Sequence, residues 1–403
     1  MRMNRRSLLA TAAAAPLVSA PARAQSATVK FGVLTDMSGP YRDLAGPGSI
    51  AATNMAIDEY ATSKGIKAEV VFSDHQNKAD IAVATARQWI DRDNVDVILD
   101  VSNSAVALAT AGVVREKNKV LIATGAASSD ITGTACNANT IHWVYDTYML
   151  AKSTGGAMVK AGGDSWYFMT ADYAFGHALE RDVGNFVRSA GGRVVGSSRT
   201  PFPGTTDFSS FLLQAQASGA KVLGLANAGT DTINSIKQAR EFGIKLRLAG
   251  LLVFLSDVHS LGLEVAQGLL LSESFYWDLS DRTRAFSDRY SPRMAGARPS
   301  MVQAGNYASA LHYLKAIAET GGKLKADGAA MVAQMKAMPA SDDCFGEGII
   351  RADGRKIHPS YLFEVKKPSE SKSRYDYYKL LATTPADEAF RPLNAGLCPL
   401  VKA

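Results

Sequence analysis

Two short apolar runs break abruptly into small polar residues. Val97-Ile98-Leu99 leads to Ser102-Asn103-Ser104, and Val120-Leu121-Ile122-Ala123 leads to Thr124-Gly125-Ala126-Ala127-Ser128-Ser129. An apolar run of this length is a strand covered on both faces, and the turn after it opens a helix whose first N–H groups lack partners. Serine, threonine and asparagine cap such ends, and the bare amides together with the helix dipole favour an anion. One such turn is an ordinary cap; two in succession predict a site. The chemistry expected is therefore capture of a small anion by main-chain amides and hydroxyls around Ser102, Asn103 and Ser104 and around Ala126, Ala127 and Ser128.

Groups for covalent chemistry are missing. The chain has no G-x-S-x-G elbow, H-E-x-x-H pair, Walker loop or EF-hand loop. Its six histidines are scattered and read as surface or capping residues. The three cysteines, Cys136, Cys344 and Cys398, have no zinc-site spacing. The expectation is a protein that is not an enzyme and uses no cofactor or metal. Gly46-Pro47-Gly48-Ser49-Ile50-Ala51 matches G-x-G-x-x-A, but eleven residues separate it from Leu34, too many after the strand for a dinucleotide turn. The loop Asp74 to Asp80 reads as the start of a helix at Ala79, with Asn77 and nearby acids suited to that end. Aromatic residues at other strand ends, Tyr41, Tyr173, Phe175, Phe254 and Tyr276, would form an apolar box if they met at one cleft.

The elements that would position these residues alternate strand and helix. Val29–Leu34, Ala68–Phe72 and the two runs above are strands, with helices over Ile50–Thr62 and Ala79–Asp91. The series restarts at His142–Asp146. A helix to about Lys160 follows, then strands at Trp166–Met169, Arg193–Gly196, Val222–Ala226, Leu246–Val253 and Leu269–Ser272, with helices over Ala174–Ala190, Phe208–Ala217 and Thr230–Phe242. Two doubly wound α/β units with parallel sheets are expected. The tail offers helices Arg282–Tyr290 and Met301–Glu319, the second amphipathic, and strands Tyr361–Val365 and Tyr377–Ala382. It lacks a sheet of its own and should be shared between the two lobes, giving several chain crossings and a hinge.

Arg2, Arg5 and Arg6, the short apolar run Leu8 to Ala20 and Ala22-Arg23-Ala24 read as an export signal removed after about Ala24. Its loss takes away four arginines and no acid, so the formal charge drops from +6 to +2, and neither nucleic acid nor a membrane surface is an expected partner. The run is too short to span a bilayer. With 403 residues and 47% hydrophobic content, the chain is long enough for two domains with substantial cores.

With the signal, the two serial lobes, Ser38-Gly39-Pro40-Tyr41, Ser102-Asn103-Ser104 and Gly125-Ala126-Ala127-Ser128, the chain resembles the leucine/isoleucine/valine-binding protein family, the type I periplasmic substrate-binding proteins of ABC importers. Asp74-His75-Gln76-Asn77-Lys78, Ala171 to Gly176 and Gly224 to Gly229 resemble the branch associated with aromatic carboxylates. The likeness runs from about Thr28 to Val401. It implies an amino-terminal lobe of residues 25–146 plus 279–352 and a carboxy-terminal lobe of 147–278 plus 353–403. It implies a ligand carboxylate on Asn103, Ser104, Ala126 and Ser128, with Tyr173, Phe175, Asn227 and Thr230 closing from the second lobe. Phe175 stands where the family has tyrosine, and Phe254 occupies a loop where polar recognition of an α-amino group is expected, which favours an acid with an apolar or aromatic body. A Cys136–Cys398 disulfide with Cys344 free is also implied. The function implied is capture of a small carboxylate in the periplasm, by lobe closure, for delivery to ABC permease subunits. The alternative is a periplasmic sensor that presents the ligand to a receptor.

Overall fold

The computed structural model describes residues 27–402; the export signal expected before Gln25 lies outside them. The first sheet contains β1 (Thr28–Thr35), β2 (Lys67–Asp74), β3 (Val97–Asp100), β4 (Val120–Ala123) and β5 (Thr140–His142), parallel throughout in the order β2-β1-β3-β4-β5. Helices Ala79–Asp91 and Ser104–Glu116 cover one face, with Trp89, Val106 and Val114 packed on Ile98 and Leu121. The other face carries Gly46–Ala56 and Met301–Thr320. The second sheet contains β6 (Ser165–Ala171), β7 (Arg193–Thr200), β8 (Val222–Ala226) and β9 (Arg247–Gly250), parallel in the order β7-β6-β8-β9.

Several expectations are corrected. His142 to Asp146 does not open the second unit, because β5 closes the first sheet and Trp143 onward is a crossing. The strand expected over Leu246–Val253 stops at Gly250, and the chain turns into a helix at Leu255–Leu261. The tail does take part in a sheet: β10 (Leu270–Glu273) pairs antiparallel with β13 (Ser360–Val365), which pairs with β14 (Tyr378–Thr384). Between them β11 (Ala340–Asp342) and β12 (Gly346–Gly348) form a hairpin. Helix Met301–Thr320 is buried nearly all round, fifteen of its twenty residues, so its apolar and small residues do not form one stripe. Asn306 from its centre donates to Ser49 Oγ (3.0 Å) and Thr124 Oγ1 (2.9 Å). Four histidines expected at the surface or at caps, His75, His142, His312 and His358, are buried.

Cys136 and Cys398 form a disulfide, and Cys344 is free and buried. The bridge ties the region of Cys398 to the segment that leads into β5. Among the described residues no helix is long and apolar enough to cross a membrane.

Candidate ligand-binding cleft

β3 and β4 are wholly buried and end side by side, with Asp100 in register with Ala123. After β3 the backbone turns through Asp100 (φ +76°) and Val101 (φ +55°), a left-handed conformation that a β-branched residue rarely adopts. That turn sets Asn103 at the end of helix Ser104–Glu116. Its Oδ1 accepts the N–H groups of Ala105 (2.9 Å) and Val106 (3.1 Å), while its Nδ2 donates to Asn77 Oδ1 (3.2 Å). Asn103 is thus occupied by the helix end, and the serines on either side of it, Ser102 and Ser104, line a cavity.

The turn after β4 is stapled to the first one. Ser104 Oγ accepts from the main chain of both Ala127 and Ser128, each at 3.1 Å. Gly125 allows the close approach, since a Cβ there would sit 2.7 Å from Ser102 Cα. Its carbonyl accepts the Tyr145 hydroxyl at 2.7 Å. Ser128 Oγ accepts from Asp130 N–H, and the Ala126 carbonyl meets His142 Nε2 at 2.7 Å. Two of the amides expected to grip an anion therefore bind Ser104 within the protein.

The loop after β1 reaches across the cleft. Asp36 accepts from Gly39 N–H (2.6 Å), Tyr41 N–H (2.9 Å) and Asn77 Nδ2 (2.7 Å), which fixes the loop's shape. Asn77 serves this network rather than the helix at Ala79, whose end carries no side-chain cap. The Tyr41 and Tyr173 hydroxyls meet at 2.5 Å, and Phe202 stacks on both rings, at 5.4 Å from Tyr41 and 4.4 Å from Tyr173. Burial, reinforced by nearby acids, pushes both phenols well above their ordinary pKa, so they act as neutral donors and acceptors. Beside them Thr230 N–H donates to the Pro40 carbonyl at 3.2 Å. The lobes are closed on each other.

The far wall comes from the ends of β6, β8 and β9: Tyr173, Phe175, Ala228, Leu252 and Phe254. Asn227 is turned away, with Oδ1 accepting from Thr232 (2.7 Å) and Nδ2 donating to Ser235 (3.0 Å), which fastens the following helix. Asp257 lies in helix Leu255–Leu261 and accepts Phe254 N–H at 2.9 Å.

Between these walls, in the closed lobes, is a tight cavity with about 10 Å³ of free volume. Of the residues singled out from sequence, Tyr41, Ser102, Ser104, Ala127, Tyr173, Phe175 and Phe254 line it. Asn103, Ala126, Ser128, Asn227 and Thr230 flank it without lining it, and Tyr276 packs elsewhere, against Phe363 and Tyr378. Leu44, Gly125, Tyr145, Ala228 and Leu252 complete the lining and were not singled out. No charged side chain is among the lining residues. His75 stands behind Ser102, Nε2 to Oγ 3.3 Å, and burial lowers its pKa to about 4, so it is neutral near pH 7. The arrangement offers two hydroxyls at one end, a phenol pair at the lobe junction and apolar surface elsewhere.

The periplasmic binding protein family profile matches residues 28–372. The chain belongs to that family. Its fold is that of the type I periplasmic binding proteins, with two lobes. A periplasmic binding protein from Burkholderia mallei is 48% identical, with TM-score 0.90 over 93% of this chain and 99% of that one. A branched-chain amino acid ABC transporter periplasmic ligand-binding protein from Burkholderia xenovorans is 40% identical, with TM-score 0.80 over 92% and 99%. An R. palustris ABC-transporter solute-binding protein in complex with benzoate shares the fold, at 20% identity and TM-score 0.80 over 89% and 97%. No curated protein matches the chain.

Proposed function

We propose that this periplasmic binding protein, once exported and cut after about Ala24, captures a small carboxylate by lobe closure and delivers it to the permease subunits of an ABC importer. The lobes taken to move are residues 25–146 with 279–352 and residues 147–278 with 353–403. The ligand is an aromatic acid in preference to a branched-chain amino acid. One observation carries this reading: the cavity is polar at the end where Ser102 and Ser104 stand and apolar or aromatic along Phe175, Leu252 and Phe254. Hydroxyls suit a carboxylate, and the apolar wall has no lining acid to hold an ammonium group.

The relative named for branched-chain amino acid transport makes those amino acids the competing ligands. A thermal-shift panel of aromatic acids, branched-chain amino acids and short amides separates the two. A ligand at about 100 times its Kd adds roughly 2.7 kcal/mol of stability. Aromatic acids are expected to raise the melting temperature most; a shift with the amino acids alone would overturn the preference.

A further inference from the structure

The cavity walls are backed by carboxyl groups. Asp100 stands behind Gly125, its Oδ1 2.8 Å from where a Cβ on that glycine would lie. Asp231 follows Ala228 in the first turn of helix Thr230–Glu241. Asp257 binds Phe254 N–H, and the negative charges of Asp257 and Glu273, at the end of β10, oppose each other. All four are at most 3% exposed. Asp100 Oδ2, Asp231 Oδ2 and Glu273 Oε2 have no hydrogen-bond partner among the described residues.

The groups facing these carboxyls are neutral or acidic. Asp100 meets Thr35, Ser49, Thr124 and Asn306. Asp231 faces the phenols of Tyr41 and Tyr173. Asp257 and Glu273 face each other, Asp43, Tyr145 and Tyr378. The buried Arg355 is held by the Val144 and Tyr145 carbonyls and lies 3.6 Å from Asp146. An anion entering the cavity adds negative charge where no lining cation balances it.

We propose that capture of the carboxylate takes up a proton, which lodges on this shell of buried acids as the lobes close on the ligand. The proposal rests on the carboxylate reading above. Burial already raises Asp100 to about 6 and Asp231 and Asp257 to about 7, with Glu273 well above its ordinary value. An added negative charge raises them further. Because the complex then holds more protons than its parts, affinity is highest at acid pH and falls as pH rises through the 6–8 window, by at most about tenfold per pH unit for each proton.

The test is calorimetric titration of benzoate, and of benzamide as an uncharged ligand of the same shape, at pH 6 and pH 8 in two buffers of different ionisation enthalpy. Expected are uptake of about one proton per benzoate and a Kd about tenfold or more weaker at pH 8, with any benzamide binding level across pH. Asp231→Asn and Asp257→Asn, one in each acid group of the second lobe, should reduce the uptake and flatten the profile in whichever variant folds. Benzoate binding that is independent of pH and buffer overturns the proton uptake and leaves the carboxylate reading standing. No benzoate binding at either pH overturns both.

Discussion

The two walls of the cleft are made by the same device, buried parallel strands that break into helix ends, yet they present opposite chemistry. On the first wall Asn103 caps its helix, Ser104 staples the neighbouring turn, and Ser102 and Ser104 line the cavity. On the second wall Asn227 likewise serves its own helix, but the residues beside it are Ala228, Tyr173, Phe175, Leu252 and Phe254. The asparagine is structural on both sides, and the residues that line the cavity stand next to it. On the proposed reading, the first wall holds the carboxylate of the ligand and the second selects its body.

The largest effect should come from keeping the walls apart. Gly229 has φ +61°, and a Cβ on it would lie 2.2 Å from the Pro40 carbonyl of the other lobe. Gly229→Ala is expected to block closure and weaken ligand binding roughly hundredfold, because its Cβ meets Pro40 only when the lobes close. Scattering should show that the variant stays extended with ligand present; a ligand-compacted variant with unchanged affinity would contradict the account.

The first wall is next. Ser104→Ala leaves the buried N–H groups of Ala127 and Ser128 without their acceptor, so denaturant unfolding should show a loss of about 1–3 kcal/mol along with weaker binding. Ser102 has no such duty to the main chain, and Ser102→Ala should lower affinity with little change in stability. Equal stability loss in both variants would erase the distinction drawn between these hydroxyls.

On the second wall, Asp231 gives a pH-dependent effect. Burial raises its pKa to about 7 in the folded chain, above the ordinary value near 4. Its favourable contribution is therefore present when it is protonated and lost as pH rises through 7. Asparagine does not titrate, so Asp231→Asn should compare better with the parent at pH 8 than at pH 5, by on the order of 1–3 kcal/mol in unfolding free energy. A difference that does not vary with pH would mean that Asp231 is not held protonated.

The smallest effect is expected at the junction. Tyr41→Phe removes one partner of the 2.5 Å hydroxyl pair but keeps the ring stacked on Phe202. A loss of about 0.5–1.5 kcal/mol in binding is expected. A much larger loss would mean that the phenol touches the ligand directly.

Much of the framework was legible because parallel strands covered on both faces announce themselves as short apolar runs: β3 and β4 lie where Val97 and Val120 begin, and helix Ala79–Asp91 has the bounds its pattern implies. The cleft residues adjoining those strand ends, Ser102, Ser104, Tyr173 and Phe175, were legible for the same reason. Tyr145 and Phe202 were not, because one arrives from a crossing and the other from the loop after β7, and no local spacing links either to the serine turns. Asn77 looked like a cap from its distance to Ala79, but left-handed backbone (φ +56°) turns it toward Asp36 instead. The buried histidines and the all-round burial of Met301–Thr320 depend on elements distant in sequence, which a periodicity within one helix does not encode.

The most direct measurement of the central claim is calorimetric titration of an aromatic carboxylate and its amide into the parent and into the Ser102→Ala/Ser104→Ala double variant. The account predicts that the carboxylate loses on the order of 10–100-fold in affinity while the amide changes little. Equal carboxylate affinity in the two proteins would contradict it.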